Sequence, residues 1–173
     1  MNEILNEYVR LGFSFVLSGA DKKPIGAWKK YQHQRPTEQE VQELANQLSK
    51  DPSLGISVVC GRISQNLLLI DFDSKDQQFI KAVMGLPIDT LAQSTWISET
   101  PHGYHVHFLA EDNVELQNAN YILVGEGERK KEVDLKGEGG LTKEPPSPGY
   151  TNLSAPSSIS KISKKDYEAL IQK

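Results

Sequence analysis

NLLLIDFDSK, residues 66–75, decides how the chain is read. Four apolar residues, Leu67 to Ile70, run into Asp71, Phe72 and Asp73. An apolar run of this length before a polar break is the composition of a buried strand. On a strand, positions i and i+2 face the same side, so Asp71 and Asp73 present two carboxylates together. Two such charges repel unless a cation or water separates them, and an all-oxygen pair suits Mg²⁺ or Mn²⁺. The plainer reading is that the strand ends here and the aspartates cap the next helix.

Outward from this stretch, GISVVCG (55–61) reads as a strand joined to it by the turn RISQN (62–66), which predicts a hairpin. SKDQQFIKAVMGL (74–86) follows as a helix with Ser74 as its N-cap. STWISET (94–100) and YHVHFLA (104–110) read as strands joined by the turn PHG. NYILVGE (120–126) and EVDLKG (132–137) are further strands, with GEGERKK (125–131) an exposed loop and GEGGLTKEPPSPG (137–149) loop-rich. Near the start, EILNEYVRLG (3–12) has helical spacing with Gly12 as a stop, and FSFVLSG (13–19) is a strand. DKKPIGAWKKYQHQRP (21–36) reads as a loop. Thr37 and Glu40 form a capping box opening a helix through about Leu48. Ser163 caps a last helix in SKKDYEALIQK. Mixed strands and helices with several hairpins favour α+β over a doubly wound parallel sheet.

The totals narrow the function. With 173 residues, 38% apolar and 24% charged, the chain suits one globular domain. Cys60 is its only cysteine, which removes an internal disulfide framework and any cysteine-based zinc site, and points to a reducing compartment, the cytoplasm. No run approaches the ~20 apolar residues of a membrane span, and the acidic, amphipathic N-terminus is not a signal peptide. A net charge of −4 argues against nucleic-acid binding over the whole surface but leaves room for a local basic groove.

Three further patterns carry chemistry. Asp134 lies between Val133 and Leu135 and so points away from their face; it is either a third carboxylate beside Asp71 and Asp73 or an exposed edge residue. Lys136 shares its face, giving either a phosphate-binding ammonium or a surface ion pair. His105 and His107 share one face of a strand, Val106 and Phe108 the other. Both histidines bind a metal, or one contacts an anionic substrate, or both sit on a half-exposed sheet. Lys22, Lys23, Lys29 and Lys30 around Trp28 suit a nucleic-acid strand, although such a tryptophan is more often a core anchor among solvated lysines.

Taken in order, these segments resemble the primase-polymerase (prim-pol) domain of the archaeo-eukaryotic primase superfamily. The family pattern is a hydrophobic strand ending in Asp-x-Asp, then small-x-His, then hydrophobic-Asp-hydrophobic. Here these are LLLIDFD, Gly103-Tyr104-His105 and VDLK. KKPIGAWKKY resembles the family's N-terminal Lys-Pro…Trp segment, and GEGGLTKEPPS its Gly-rich loop closing in Pro-Pro-Ser. The resemblance spans about residues 12–150. It implies an RRM-like catalytic sheet (about 66–150) with an N-terminal α/β module (about 1–65), the active site lying in the cleft between them, and a C-terminal tail and helix (151–173). It implies template-dependent nucleotidyl transfer, with two divalent ions, Mg²⁺ or Mn²⁺, held by Asp71, Asp73 and Asp134. His105, with Thr100, Gly103 and Lys136, would contact the incoming nucleotide. Lys23, Lys29 and Lys30 would meet single-stranded DNA template and primer. One Gly in TPHGYH, where many members have two, is a departure from the pattern. Relatives often continue into helical or helicase domains, so the chain reads as an excised or minimal member.

Two rivals remain at this stage. HVHF by itself fits a His-hydrophobic-His replication-initiator or relaxase endonuclease, with Tyr167 as the available nucleophile. A non-catalytic RRM-like nucleic-acid-binding module would instead show aromatics on its central strands.

Overall fold

The computed structural model describes residues 2–124 and 130–172. The elements are α1 (Glu3–Leu11), β1 (Ser14–Ser18), α2 (Glu38–Lys50), β2 (Gly55–Val59), β3 (Leu67–Phe72), α3 (Gln77–Met84), α4 (Ile88–Leu91), β4 (Ile97–Glu99), β5 (Tyr104–Ala110), β6 (Ala119–Val124), β7 (Lys130–Lys136), β8 (Leu141–Glu144), β9 (Thr151–Asn152), β10 (Ser160–Ile162) and α5 (Lys164–Ile171). Of the expected loop 125–131, residues 125–129 lie outside the described residues, while Lys130 and Lys131 already belong to β7. The architecture is α+β.

Local chemistry explains the helix ends. Gly12 takes the left-handed conformation (φ 74°) that stops α1, and its N–H returns to the carbonyls of Tyr8 and Val9. The Thr37–Glu40 capping box opens α2 as expected. Asp76, not Ser74, caps α3: its carboxylate accepts from the N–H groups of Gln78 and Phe79. Ser74 stands two residues too early and accepts from the Asp76 N–H instead. Within the expected loop 21–36, Trp28–Gln32 form a 3₁₀ turn.

Two sheets form. The smaller has the order β1-β2-β8; the larger runs β6-β7-β3-β5-β4-β9, with β10 added parallel to β5. The expected hairpin of 55–73 does not form, because β2 and β3 belong to different sheets and only a bridge between Gly61 and Leu67 links the segments. The cause lies in the turn. Gly61, Gln65 and Asn66 all have positive φ (95°, 62° and 60°), and they carry the chain from one sheet to the other. The expected loop 137–149 contains β8, which completes the small sheet against β2.

Both faces of β3 are covered, which is why 67–70 is an unbroken apolar run. Leu68, Ile70 and Phe72 pack with Val106, Val133 and Leu135 beneath α3, α4 and α5. Leu67 and Leu69 pack with Phe15, Leu17, Ile56 and Val58 of the small sheet and with Leu5, Tyr8 and Val41 of α1 and α2. Where the apolar run ends, the small-sheet side of β3 opens into a cleft.

Candidate active site

Register assembles the site. In β3, Asp71 stands opposite Asp134 of β7 on one side and His105 of β5 on the other. His105 in turn stands opposite Ser98 of β4. Residues directly opposite on adjacent strands point to the same face, so dozens of intervening residues do not matter. Asp73 follows just beyond the end of β3. Asp71, Asp73, Asp134, His105 and Thr100 all line one cleft of about 300 Å³. Its far wall comes from the small sheet, with Ser57, Thr142 and Lys143, and from Lys22 of the loop after β1.

The turn that precedes His105 is tightly built. The Thr100 hydroxyl accepts from the Gly103 N–H at 2.9 Å, and the Thr100 N–H donates to the Gly103 carbonyl at 3.0 Å. Gly103 sits directly on the backbone carbonyl of Phe72, where a Cβ has no space. The "small" position of the motif is therefore the point where the turn closes on the Asp-x-Asp strand.

The carboxylates differ in their partners. Asp71 Oδ1 lies 3.3 Å from His105 Nε2. Burial alone would raise the Asp71 pKa, but the His105 ring beside it holds it below the usual carboxylate range. Asp134 Oδ2 accepts from Lys136 Nζ at 3.1 Å, while Asp134 Oδ1 is buried without a hydrogen-bond partner. Lys136 thus serves Asp134 directly and borders a second hollow on the β6–β7 side of it.

Glu144 is a site residue that the sequence reading missed, as it missed Lys143 and Tyr150 on the cleft wall. Glu144 is fully buried on β8, and its Oε1 accepts from His105 Nδ1 (2.7 Å), His107 Nε2 (2.8 Å) and the Thr142 hydroxyl (2.9 Å). Ser98 Oγ donates to its Oε2 at 2.6 Å. Burial disfavours the charged His105 ring, yet the carboxylates of Glu144 and Asp71 outweigh it and raise its pKa to about 10. For Glu144 burial pushes upward, and His107 and His105 override it, holding the carboxyl well below its ordinary value. The only sequence signal was the i, i+2 pair Thr142–Glu144, invisible while 141–144 was read as loop. The ligand atoms of His105, His107 and Glu144 lie within 4.8 Å of one another, so the cluster could also hold a metal ion.

His107 does not face the cleft. It is fully buried, its ring stacks on Trp96 at 3.5 Å, and Nδ1 lies 3.2 Å from the Trp96 carbonyl. The half-exposed pair that spacing allowed is absent, since His105 is 5% exposed and His107 0%. Tyr167 is buried among the apolar side chains on the helix-covered face, where its hydroxyl accepts from the Gln117 N–H. The endonuclease reading therefore lacks an accessible second histidine, and Tyr167 is not exposed to serve as its nucleophile. The lysines also sort. Lys30 is tied to Glu40 at 2.6 Å and lies over the Tyr31 ring, while Lys23 and Lys29 are exposed outside the cleft. Trp28 is half-buried rather than a core anchor.

Fold and cleft together define an α+β domain with an acidic, histidine-bearing site between two sheets, flanked by lysines. The chain belongs to the Prim-Pol family: the model of the N-terminal domain of bifunctional DNA primase/polymerases matches residues 5–164 of its 173. Membership gives it a DNA primase/polymerase role in general terms, a nucleotidyltransferase-type activity with DNA and nucleotides as substrates. No curated protein matches the chain. Among the described residues, no helix is long and apolar enough to cross a membrane.

Proposed function

We propose that this domain extends a primer on a single-stranded DNA template from nucleoside triphosphates, with Asp71, Asp73 and Asp134 as ligands for divalent metal. The observation that carries this reading is Asp134 Oδ1, a buried acceptor with no partner, in register beside Asp71. A buried carboxylate oxygen left unpaired is costly, and a cation resolves it. The donor set is oxygen only, which fits Mg²⁺ or Mn²⁺. Bound there, two such ions would supply Lewis acidity for the attacking 3′-hydroxyl and the leaving pyrophosphate.

The chain's own residues supply position and charge. His105 stays cationic at neutral pH and offers positive charge beside Asp71, where a phosphate oxygen would lie. Thr100 and Gly103 shape the turn that holds that ring. Lys136 balances Asp134, and Lys22 and Lys143 on the far wall are suited to the triphosphate tail. Lys23 and Lys29 would meet template and primer phosphates, with Lys30 contributing less because Glu40 already engages it. Such binding weakens as salt rises.

The test is primer extension on a single-stranded template with Mg²⁺ or Mn²⁺ and ribo- or deoxyribonucleotides, wild type beside Asp71→Ala/Asp73→Ala. Templated growth that the double variant loses is the expected result. Growth that survives the double substitution would sink the reading. Extension of existing primers is expected to exceed unprimed dinucleotide synthesis; efficient synthesis without primer would reverse that preference.

A further inference from the structure

The reaction outlined above leaves Glu144 without a task. It is a carboxylate with no exposure, in the seam between the sheets, satisfied by four hydrogen bonds. Burying a charge in this way is costly, and two apolar residues could fill the same space. What the carboxylate does that an apolar side chain cannot is hold His105 by Nδ1, from the opposite sheet, while Nε2 faces Asp71. An imidazole anchored through one nitrogen presents the other in a fixed direction.

The remaining contacts hold Glu144 in turn. His107 Nε2 meets the same Oε1, and the His107 ring is clamped by the stacked Trp96 and its carbonyl. Ser98 takes the second oxygen from β4, the strand next to β5. The result is one connected path, Trp96–His107–Glu144–His105–Asp71, from the buried seam to the cleft. A shared metal is the other arrangement these three side chains permit. Two ligands of one tetrahedral ion, each ~2.1 Å from it, stand about 3.4 Å apart. The separations here, 2.7 and 2.8 Å, are those of charge-assisted hydrogen bonds.

We propose that Glu144 is a positioning residue that fixes the His105 ring, so that Nε2 is aimed at the phosphates of a nucleotide in the cleft. The proposal rests on the cleft being the nucleotide site. Glu144→Gln keeps the shape and removes the acceptor charge. It is expected to raise the nucleotide KM about tenfold or more in primer extension, as His105→Ala is also expected to do, with a smaller change in kcat. The double variant Glu144→Gln/His105→Ala is expected to be no worse than His105→Ala alone. A merely structural Glu144 would instead give losses that multiply, and that result overturns the proposal.

A second readout needs no activity. The Nδ1–H proton of His105 is expected far downfield in the proton NMR spectrum of the metal-free protein, absent in His105→Ala. It should persist in Asp71→Ala and shift strongly upfield in Glu144→Gln. An unchanged ring proton in Glu144→Gln overturns the proposal. So does stoichiometric metal that copurifies with wild type and is lost with Glu144→Gln. If wild type extends no primer, the catalytic reading fails by itself, and the ring proton still decides whether Glu144 sets His105. Thermal unfolding of each variant identifies any that fails to fold, and Glu144→Asp, one methylene short of the ring, then takes its place with the same expected outcomes.

Discussion

Replacing Gly103 by alanine adds one methyl group at the closest approach in the site. Gly103 is not among the glycines with positive φ, so the constraint is space and not backbone conformation. The new Cβ would meet the Phe72 carbonyl oxygen head-on, with Ser74 N at 2.7 Å and the Phe72 carbonyl carbon at 2.8 Å. All three are backbone atoms, so no side-chain rotation relieves the contact. The turn 100–103 must move away from the Asp-x-Asp segment by roughly 1.5–2 Å to restore ordinary van der Waals separation. Overpacking of this kind costs about 1–3 kcal/mol. For a domain of this size that corresponds to a fall in Tm of roughly 2–12 °C. The catalytic loss should be larger than the stability loss, because His105 follows the turn directly and even a displacement of about 1 Å costs about 100-fold in rate. Thermal unfolding and single-nucleotide primer extension on the same preparation measure both. An alanine variant with wild-type Tm and an extension rate within about twofold would refute the argument that this position is glycine for space.

Four further outcomes follow from the same geometry. Asp134→Asn should abolish extension and remove any rise in Tm on adding Mn²⁺ while leaving the metal-free Tm unchanged or higher, since it relieves a buried unpaired carboxylate oxygen; calorimetric titration with Mn²⁺ checks the binding. Lys22→Ala and Lys143→Ala should each raise the nucleotide KM about fivefold or more with kcat little altered, and a KM unchanged in both would remove the far wall from the site. His107→Ala should lower stability by about 2–4 kcal/mol through the gap left beside Trp96, whereas His105→Ala should lose activity with less loss of Tm; chemical denaturation and extension assays separate the two. The stability of the wild type should peak in mildly acidic solution, between about pH 4.5 and 6.5. His105, raised from an ordinary value near 6.5 to about 10, contributes fully below about pH 6.5, and that contribution is lost as pH rises through about 10. Glu144 and Asp71, both lowered, contribute fully above their ordinary values near pH 4–4.5 and lose it as pH falls. Glu144→Gln should flatten the alkaline limb of a Tm–pH series, and an unaltered limb would count against the His105–Glu144 pairing.

Much of this was legible because two strong signals coincide in the motif strands: an apolar face that fixes burial and a polar residue that interrupts it. Asp71, Asp73, His105 and Asp134 each stand out in that way. The failures have physical causes. The 55–73 hairpin was expected from adjacency of two β-rich runs around a turn, but three positive-φ residues in that turn send the chain to another sheet. Ser74 and Asp76 are both good caps, and only the start of the helical φ/ψ run selects between them. Residues 141–144 were hidden by glycines and prolines on either side, so Glu144 went unseen. His107 could not be distinguished from His105 by spacing, because the small sheet covers one and leaves the other at the rim.

The motif pattern itself is best understood as a register lock. Asp134 meets Asp71 only because β7 pairs with β3 in one register. A slip of one residue would turn Asp134 into the helix-covered core and put Val133 or Leu135 into the cleft. What forbids the slip is the apolar pair itself, since Val133 and Leu135 are 5% and 2% exposed beneath the helices. The same holds for Ile70 and Phe72 around Asp71, and for Val106 beside His105. Hydrophobic-Asp-hydrophobic is therefore a statement about burial as much as about chemistry. The flanking residues set which face each strand presents, and the charged residue between them arrives in the cleft as a consequence. Sequence distance between the motifs is then free to vary, because loops absorb it while the pairing does not change.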